Sequence, residues 1–444
     1  RDRSVSRGLG DVYKRQILEL EEAQITSALM PAFNAGSPPN VIISAIDVCA
    51  EFLSSNIAPL ERANRVSGMM VSFLEVYNDK SSEIKIGDAK IITQKAKRKT
   101  ELAILNAWSK LVQNALVLKA DTLIEFTKKY WDVLVPLWII SLREYVMVKY
   151  ENVETEEKIE EHSKASFYES RSTKLELYHS VWLNFAIALG SILETDVNHI
   201  SSCLNEQEAD SFIFILFTQC IEEISKHMDE HEIKLKVLPA LHNILKCHIS
   251  LDNLFEDEVN EEIVGILDRL MLMGNNKERY ELLNIINDLI MGYTEINETH
   301  EKFLAGIDKL YELLRLVIIP ISELLPFVRY NSFEEGKIDK EEFSEQDLHL
   351  LSRAFAVFET NVSKFDDVFK VDLYACALYM MGRIYEDGDC DVIVPLILPM
   401  LKPITKNLCL GEYGSMMSVF YEASKDAIFE KISDGNKLAT ILIL

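Results

Sequence analysis

Apolar residues recur every three to four positions along most of the chain, which is the spacing of helices with one buried face. The first stripe contains Val41, Ile42, Ala45, Ile46, Cys49, Phe52 and Leu53. The second stripe contains Leu60, Ala63, Val66, Met69, Met70, Phe73, Leu74 and Tyr77. Between them lies a turn from Asn56 to Pro59, and proline opens a helix more readily than it continues one. The two stripes therefore predict an antiparallel pair of helices.

Similar pairs recur about every 40 residues, and pairs this short bury their apolar faces only against neighbouring pairs. The chain is therefore predicted to be all-α, a HEAT-type α-solenoid of stacked antiparallel helix pairs. One solenoid segment is expected over residues 17–434, followed by a tail over 435–444, and no strand hairpin is predicted. The predicted helices, with a break at Pro320, cover residues 17–30, 40–55, 60–77, 89–118, 121–150, 170–192, 205–226, 232–249, 259–273, 278–294, 297–327, 345–363, 367–386, 391–408 and 415–432.

Residues 1–16 are predicted not to belong to this fold. Ser6 to Gln16 matches, over eleven consecutive residues, the in-frame translation of a transposase-type sequencing-library adapter. A peptide of that origin was never selected to pack, so we expect residues 1–16 to be disordered and to make no core contacts. The chain also begins without methionine, which predicts that residues from 17 onward are a piece of a longer protein.

The charge of the chain limits its partners. A formal net charge of −25 over 444 residues disfavours general nucleic-acid binding, because phosphate backbones need a positive surface. Seven scattered cysteines, an odd number, indicate a reducing, cytosolic setting without a disulfide framework. No apolar run reaches the roughly 18 residues that a membrane-spanning helix needs, so at most peripheral membrane association is expected.

Catalytic and metal-binding motifs are weak, and no cofactor is predicted. Asp387, Asp389 and Asp391 have the opening spacing of a calcium loop, but the positions that should hold glycine and glutamate are Val392 and Leu398. A zinc site from Cys220, His242, Cys247 and His248 lacks paired ligand spacing. Because nucleotide-binding and nucleophile signatures are also missing from the sequence, the protein is predicted not to be an enzyme.

One dense basic cluster stands out against the acidic background. It consists of Lys95, Lys97, Arg98 and Lys99 at the start of a predicted helix. Such a cluster is typical of a solvated helix face, and it also suits contact with an acidic partner or an anionic membrane surface. Two segments are strongly acidic, 151–161 and 332–345. They are either solvated loops or docking segments for a basic partner.

Four tryptophans lie in helical stripes among aliphatic neighbours: Trp108, Trp131, Trp138 and Trp182. Large aromatic side chains in such positions usually fill the space between packed helices. They are therefore predicted to be core residues that separate successive repeats, not ligand-recognition residues.

Three stretches resemble the C-terminal region of the HEAT repeat-containing protein 5 family, whose members include a large accessory protein of the trans-Golgi clathrin adaptor. They are Thr100 to Ala115, Leu134 to Tyr150 and Val237 to Asn275, within a similarity extending from Ile17 to about Asn407. The resemblance implies a long, non-enzymatic cytosolic scaffold that binds a clathrin adaptor complex and its accessory subunits. It further implies vesicle transport between endosomes and the trans-Golgi network, with peripheral association with those compartments and with clathrin-coated vesicles.

Two other function classes remain open from the sequence alone. A karyopherin-like nuclear transport receptor is also an acidic helical superhelix that binds basic peptides. A scaffold subunit of a phosphatase or kinase complex has the same architecture. The three hypotheses share a fold and differ in the partner that the helical surface binds.

Overall fold

A computed structural model gives the fold of the chain, which divides into two compact units, Arg1–Phe212 and Ile213–Leu444. The structure describes residues 24–34, 36–55, 64–75, 84–86, 88–91, 93–150, 171–196, 199, 203–204, 206–246, 251–296, 306–329, 343–362, 364–365, 367–386, 392–393 and 395–397. The predictions for residues 1–16, for a helix over 415–432 and for the tail over 435–444 lie outside these residues. So do most of the predicted helix over 391–408 and nearly all of the two acidic segments.

The first unit is built from paired helices. They are α1 (Pro39–Ser54), α2 (Asn64–Leu74), α3 (Gln94–Val117), α4 (Asp121–Lys128), α5 (Trp131–Tyr150), α6 (Arg171–His179) and α7 (Trp182–Thr195), preceded by a short 3-10 turn, Met30–Phe33. Helix α3 packs against α1 on one side and α7 on the other, while α5 packs against α6 and α7. Successive pairs therefore stack, with α3 as the central helix.

The second unit repeats this arrangement. Helix α8 (Glu206–Lys226) contains the boundary, and it is followed by α9 (His231–Leu245), α10 (Leu251–Leu254), α11 (Asp257–Met273), α12 (Asn276–Ile296), α13 (Ile307–Leu324), α14 (Pro326–Arg329), α15 (Glu345–Val362) and α16 (Asp367–Glu386). Helices α9, α12 and α15 form one row, and α11 packs against α13 beside it. The predicted class, an all-α solenoid of stacked helix pairs, is confirmed.

A β-hairpin replaces the predicted start of α3. Strands β1 (Ile84–Ile86) and β2 (Ala89–Ile91) pair antiparallel, with Ile84 opposite Ile91. The prediction of helix from residue 89 was therefore wrong. The overlooked signal is the Gly–Asp dipeptide between two alternating runs, since glycine at the first position of a two-residue loop favours a hairpin. The hairpin is held to the rest of the unit because the Asp88 N–H donates to the Phe33 carbonyl at 2.9 Å.

Other helix boundaries also differ from the prediction, and the single helix predicted over 170–192 is divided into α6 and α7. The predicted break at Pro320 is wrong, because α13 continues through this buried proline to Leu324. Proline inside a helix costs about 3 kcal/mol, whereas burying each leucine of the same face contributes about 1.5–3 kcal/mol. Conversely, residues 121–150 form two helices instead of one, with a turn at Lys129 and Tyr130. The Tyr130 ring lies 5.1 Å from the Trp108 ring, so packing fixes this turn.

The four tryptophans are core residues, as predicted. Trp108, Trp131 and Trp138 are fully buried and Trp182 is 2% exposed. The Trp108 indole N–H donates to the Met70 carbonyl of α2 at 3.1 Å, and the Trp138 N–H donates to the Leu105 carbonyl of α3 at 3.1 Å. Each indole therefore joins its own helix to a neighbouring one while satisfying its polar atom.

The second unit contains a buried ion pair. Lys234 of α9 and Glu278 of α12 are each 1% exposed at their side chains, and Lys234 Nζ lies 3.0 Å from Glu278 Oε2. His231 Nδ1 lies 2.6 Å from the other carboxylate oxygen. The Asn275 N–H donates to Glu278 Oε2 at 3.2 Å, and the Glu278 N–H donates back to Asn275 Oδ1 at 3.1 Å. This reciprocal capping starts α12 and fixes the carboxylate against α9.

The buried thiols should resist alkylation. Cys49 and Cys220 are fully buried, and burial raises the pKa of each thiol to about 12. Because only the thiolate reacts, we expect iodoacetamide to label the partly exposed Cys203 well before these two in the native protein. Peptide mass spectrometry over a labelling time course measures the order, with urea-unfolded protein as the control. Equal labelling rates for Cys49 and Cys203 in the native protein would contradict the packing described.

Candidate partner-binding cleft

A cleft with a volume of about 1350 Å³ opens in the first unit between the start of α3, the end of α5 and the helix α6. Its walls come from these three helices and the residue before α3. The lining residues are Thr93, Gln94, Lys95, Lys97, Arg98, Glu101, Glu144, Val146, Met147, Val148, Tyr150, Lys174, Leu177 and Tyr178. The cleft therefore combines cations on one side with apolar side chains on the other.

The predicted basic cluster divides at this cleft. Lys95, Lys97 and Arg98 line it. Lys99 does not, because its Nζ donates to Asn40 Oδ1 of α1 at 3.1 Å. The structure thus brings three of the four predicted residues together and assigns the fourth to contact between helices.

Arg98 is held by a network that joins three helices. Its Nε donates to the Tyr178 hydroxyl of α6 at 3.2 Å, and its Nη1 lies 3.4 Å from a Glu101 carboxylate oxygen. The guanidinium also pairs with Glu144 of α5, which accepts a hydrogen bond from the Tyr178 hydroxyl. A planar guanidinium suits such multiple contacts. Arg98 therefore acts mainly as a structural residue that fixes the cleft walls and pairs with both lining carboxylates.

Three lysines supply the other positive charges of the cleft lining. Lys95 is exposed, whereas Lys97 and Lys174 are half-buried. No carboxylate of the described residues forms an ion pair with Lys95 or Lys174 within 4.0 Å. The N-cap residue Thr93 makes no side-chain capping bond, so the first N–H groups of α3 add partial positive charge here. The cleft is consequently a positive surface on a strongly acidic chain.

Sequence periodicity identified only part of this site. Glu144, Lys174 and Tyr178 were missed because they lie 46 to 80 residues from Arg98 in the sequence. No local spacing rule joins residues so far apart. Only the packing of α5 and α6 against α3 brings them together.

The described residues form neither a metal-binding cluster nor a membrane-spanning helix. No group of three or more histidine, cysteine, aspartate or glutamate side chains in this part of the chain is placed to hold a metal ion. His242 of the rejected zinc set instead lies 2.5 Å from Asp288, measured from Nδ1 to Oδ2. Among the helices that the structure describes, none combines the length and apolarity needed to cross a bilayer.

Comparison with known proteins identifies the family. Residues 10–147 match the model of the Laa1/Sip1/HEATR5 HEAT repeat region. The chain is also 50% identical over 433 residues to AP-1 accessory protein LAA1 of Saccharomyces cerevisiae (strain ATCC 204508 / S288c). The chain belongs to the Laa1/Sip1/HEATR5 family. The resemblance predicted from the sequence is thereby confirmed, and the stacked helix pairs are those of a HEAT-repeat protein.

The similarity covers the chain and a small part of the relative. The aligned region is 96% of this chain and 22% of LAA1. The chain therefore spans about a fifth of the length of that Laa1/Sip1/HEATR5 relative. No solved structure matches the chain.

Proposed function

We propose that this chain is part of a non-enzymatic HEAT-repeat scaffold that acts with the AP-1 clathrin adaptor in vesicle transport between endosomes and the trans-Golgi network. The observation that carries the proposal is the 50% identity to an AP-1 accessory protein over 96% of the chain. Identity at this level, spread over nearly the whole chain, supports a shared role as well as a shared fold. The scaffold would associate peripherally, from the cytoplasm, with the trans-Golgi network, endosomes and clathrin-coated vesicles.

The arrangement of the helices supports a binding role. Stacked pairs use their apolar faces for packing and leave their polar faces and connections as a continuous surface for partners. The cleft of the first unit is one concavity on such a surface, and its side chains suit recognition. We propose that the partners are proteins, namely the adaptor complex and its accessory subunits, and not nucleic acids.

A chimera in Saccharomyces cerevisiae tests the transport role. The chain would replace the aligned 433-residue region of LAA1, with a deletion of the same region as the negative control. We expect the chimera, and not the deletion, to restore recycling of a membrane cargo that cycles between endosomes and the trans-Golgi network. Normal recycling in the deletion strain, or failure of a chimera that is expressed at the normal level, would contradict the proposal.

A further inference from the structure

We propose that the cleft between α3, α5 and α6 binds an acidic, amphipathic peptide segment of a protein partner. The proposal rests on the proposed scaffold function, because it assigns one partner class to one surface of that scaffold. Acidic side chains of the segment would face Lys95 and Lys174, and its apolar side chains would pack along an exposed face of α5.

The charge of the cleft selects an acidic occupant. Four cationic side chains line the cleft against two carboxylates, Glu101 and Glu144, so its lining is net positive. Lys95 and Lys174 form no ion pair within 4.0 Å with a carboxylate of the described residues. The whole chain carries a formal net charge of −25, which disfavours general binding of acidic segments to its surface. An acidic peptide is thus directed to this cleft by both attraction and exclusion.

An apolar stripe runs from the cleft along α5. Val133 is 45% exposed, Ile140 is 50% exposed and Met147 is 72% exposed. These three residues are seven positions apart, so they lie on the same helical face over about 21 Å. Tyr150, 57% exposed, lies one turn beyond Met147, and both of these residues line the cleft. Exposed apolar patches that lead into a charged cleft are typical of sites for partner helices.

The size and shape of the cleft favour a peptide over other ligands. Its volume of about 1350 Å³ exceeds the range of about 300–1,000 Å³ that is usual for small-molecule sites. A bilayer surface is broad and anionic, and the net charge of −25 opposes its approach, whereas a single peptide segment fits a concave site. Methionine at the junction of stripe and cleft is a side chain that adapts to varied apolar partners.

A binding assay with purified full-length protein tests the proposal. The probe is a fluorescent 15-residue peptide of glutamate and alanine with leucine at positions 1, 8 and 15, to match the spacing of the stripe. Fluorescence anisotropy would measure its affinity. The comparison peptides carry lysine in place of glutamate, or alanine in place of leucine. We expect the probe to bind and neither comparison peptide to do so. The affinity for the probe should fall as salt rises from about 0.05 M to about 0.3 M, since screening shortens the reach of the lysine charges.

Two pairs of charge reversals locate the site. Lys95→Glu with Lys174→Glu should lower the affinity for the probe on the order of tenfold, because two attractions become repulsions. The matched control, Lys85→Glu with Lys129→Glu, changes two exposed lysines of the same unit that do not line the cleft and should alter affinity by less than about twofold. Met147→Asp should also weaken binding. Circular dichroism would verify that each variant retains helical content.

Four outcomes would overturn the inference. The first three are absence of probe binding, wild-type affinity of the cleft variant for the probe, and equal losses of affinity in the cleft and control variants. The fourth is a cleft variant that no longer binds phosphatidylserine vesicles but still binds the probe peptide. The last result would identify a membrane surface as the occupant. Co-purification of AP-1 with the same protein separates this inference from the proposed function. AP-1 binding without probe binding rejects only the cleft assignment, and probe binding without AP-1 rejects only the adaptor role.

Discussion

Replacing Lys234 with methionine should destabilise the second unit by about 3–5 kcal/mol, because it removes the buried cation beside the Glu278 carboxylate and leaves only the His231 side chain and the Asn275 N–H in contact with it. The two side chains are each 1% exposed and 3.0 Å apart, so water does not replace the lost partner. Amides of α9 and α12 should lose hydrogen-exchange protection first, since the pair joins these helices. Native-state hydrogen exchange, read by mass spectrometry, measures the loss and its location.

A double variant provides the control for this prediction. Adding Glu278→Gln removes the buried carboxylate charge and keeps an acceptor for the Asn275 N–H that starts α12. We expect the double variant to recover most of the stability that Lys234→Met loses, as replaced buried pairs often do. If the single and double variants are equally destabilised, the loss comes from packing of the lysine stem and not from the buried charge.

Replacing Trp108 with alanine should cost about 3–5 kcal/mol of local stability through lost burial and a residual cavity. The indole is fully buried, it donates to the Met70 carbonyl, and its ring stacks 5.8 Å from Phe126. In a quasi-one-dimensional stack the loss should loosen α2, α3 and α4 before α7. Hydrogen exchange resolved by helix measures this order, and Trp108→Phe should lose less because it retains most of the volume.

The cleft variant Lys95→Glu with Lys174→Glu is the counterpart to Trp108→Ala. Surface charges that lack a close ionic partner contribute about 0–1 kcal/mol each, so this variant should keep wild-type protection while losing peptide binding. Arg98 is left unchanged, because its contacts with Glu101, Glu144 and Tyr178 hold the walls of the cleft. If Trp108→Ala instead keeps wild-type protection and loses partner binding, Trp108 is a recognition residue and its assignment to the core is wrong.

The helical repeats could be predicted because their signal is local. A buried face forces apolar residues into a 3.6-residue period, and the stripe of α1 contains Ile42, Ile46 and Cys49, all of which are buried. The tryptophans follow the same logic, since a large aromatic ring on such a stripe has few places other than the core. Family membership followed from three stretches of this periodic sequence and is confirmed by the comparison with LAA1.

The exceptions arise where another interaction outweighs the helical period. Three-residue strands around a Gly–Asp dipeptide are too short for periodicity to reveal, and Pro320 remains helical because its whole face is buried. The cleft could be recognised only from the tertiary structure. The sequence showed a basic run, but the role of Arg98 depends on Glu144 and Tyr178, which only packing brings near it.

Affinity purification of the full-length protein under mild conditions tests the scaffold account most directly. We expect AP-1 subunits to be enriched with the wild-type protein and lost when the region containing this chain is deleted. Enrichment of a small nuclear GTPase in place of AP-1 would contradict the account and favour a karyopherin-like receptor. Co-purifying phosphatase or kinase activity without AP-1 would contradict it equally.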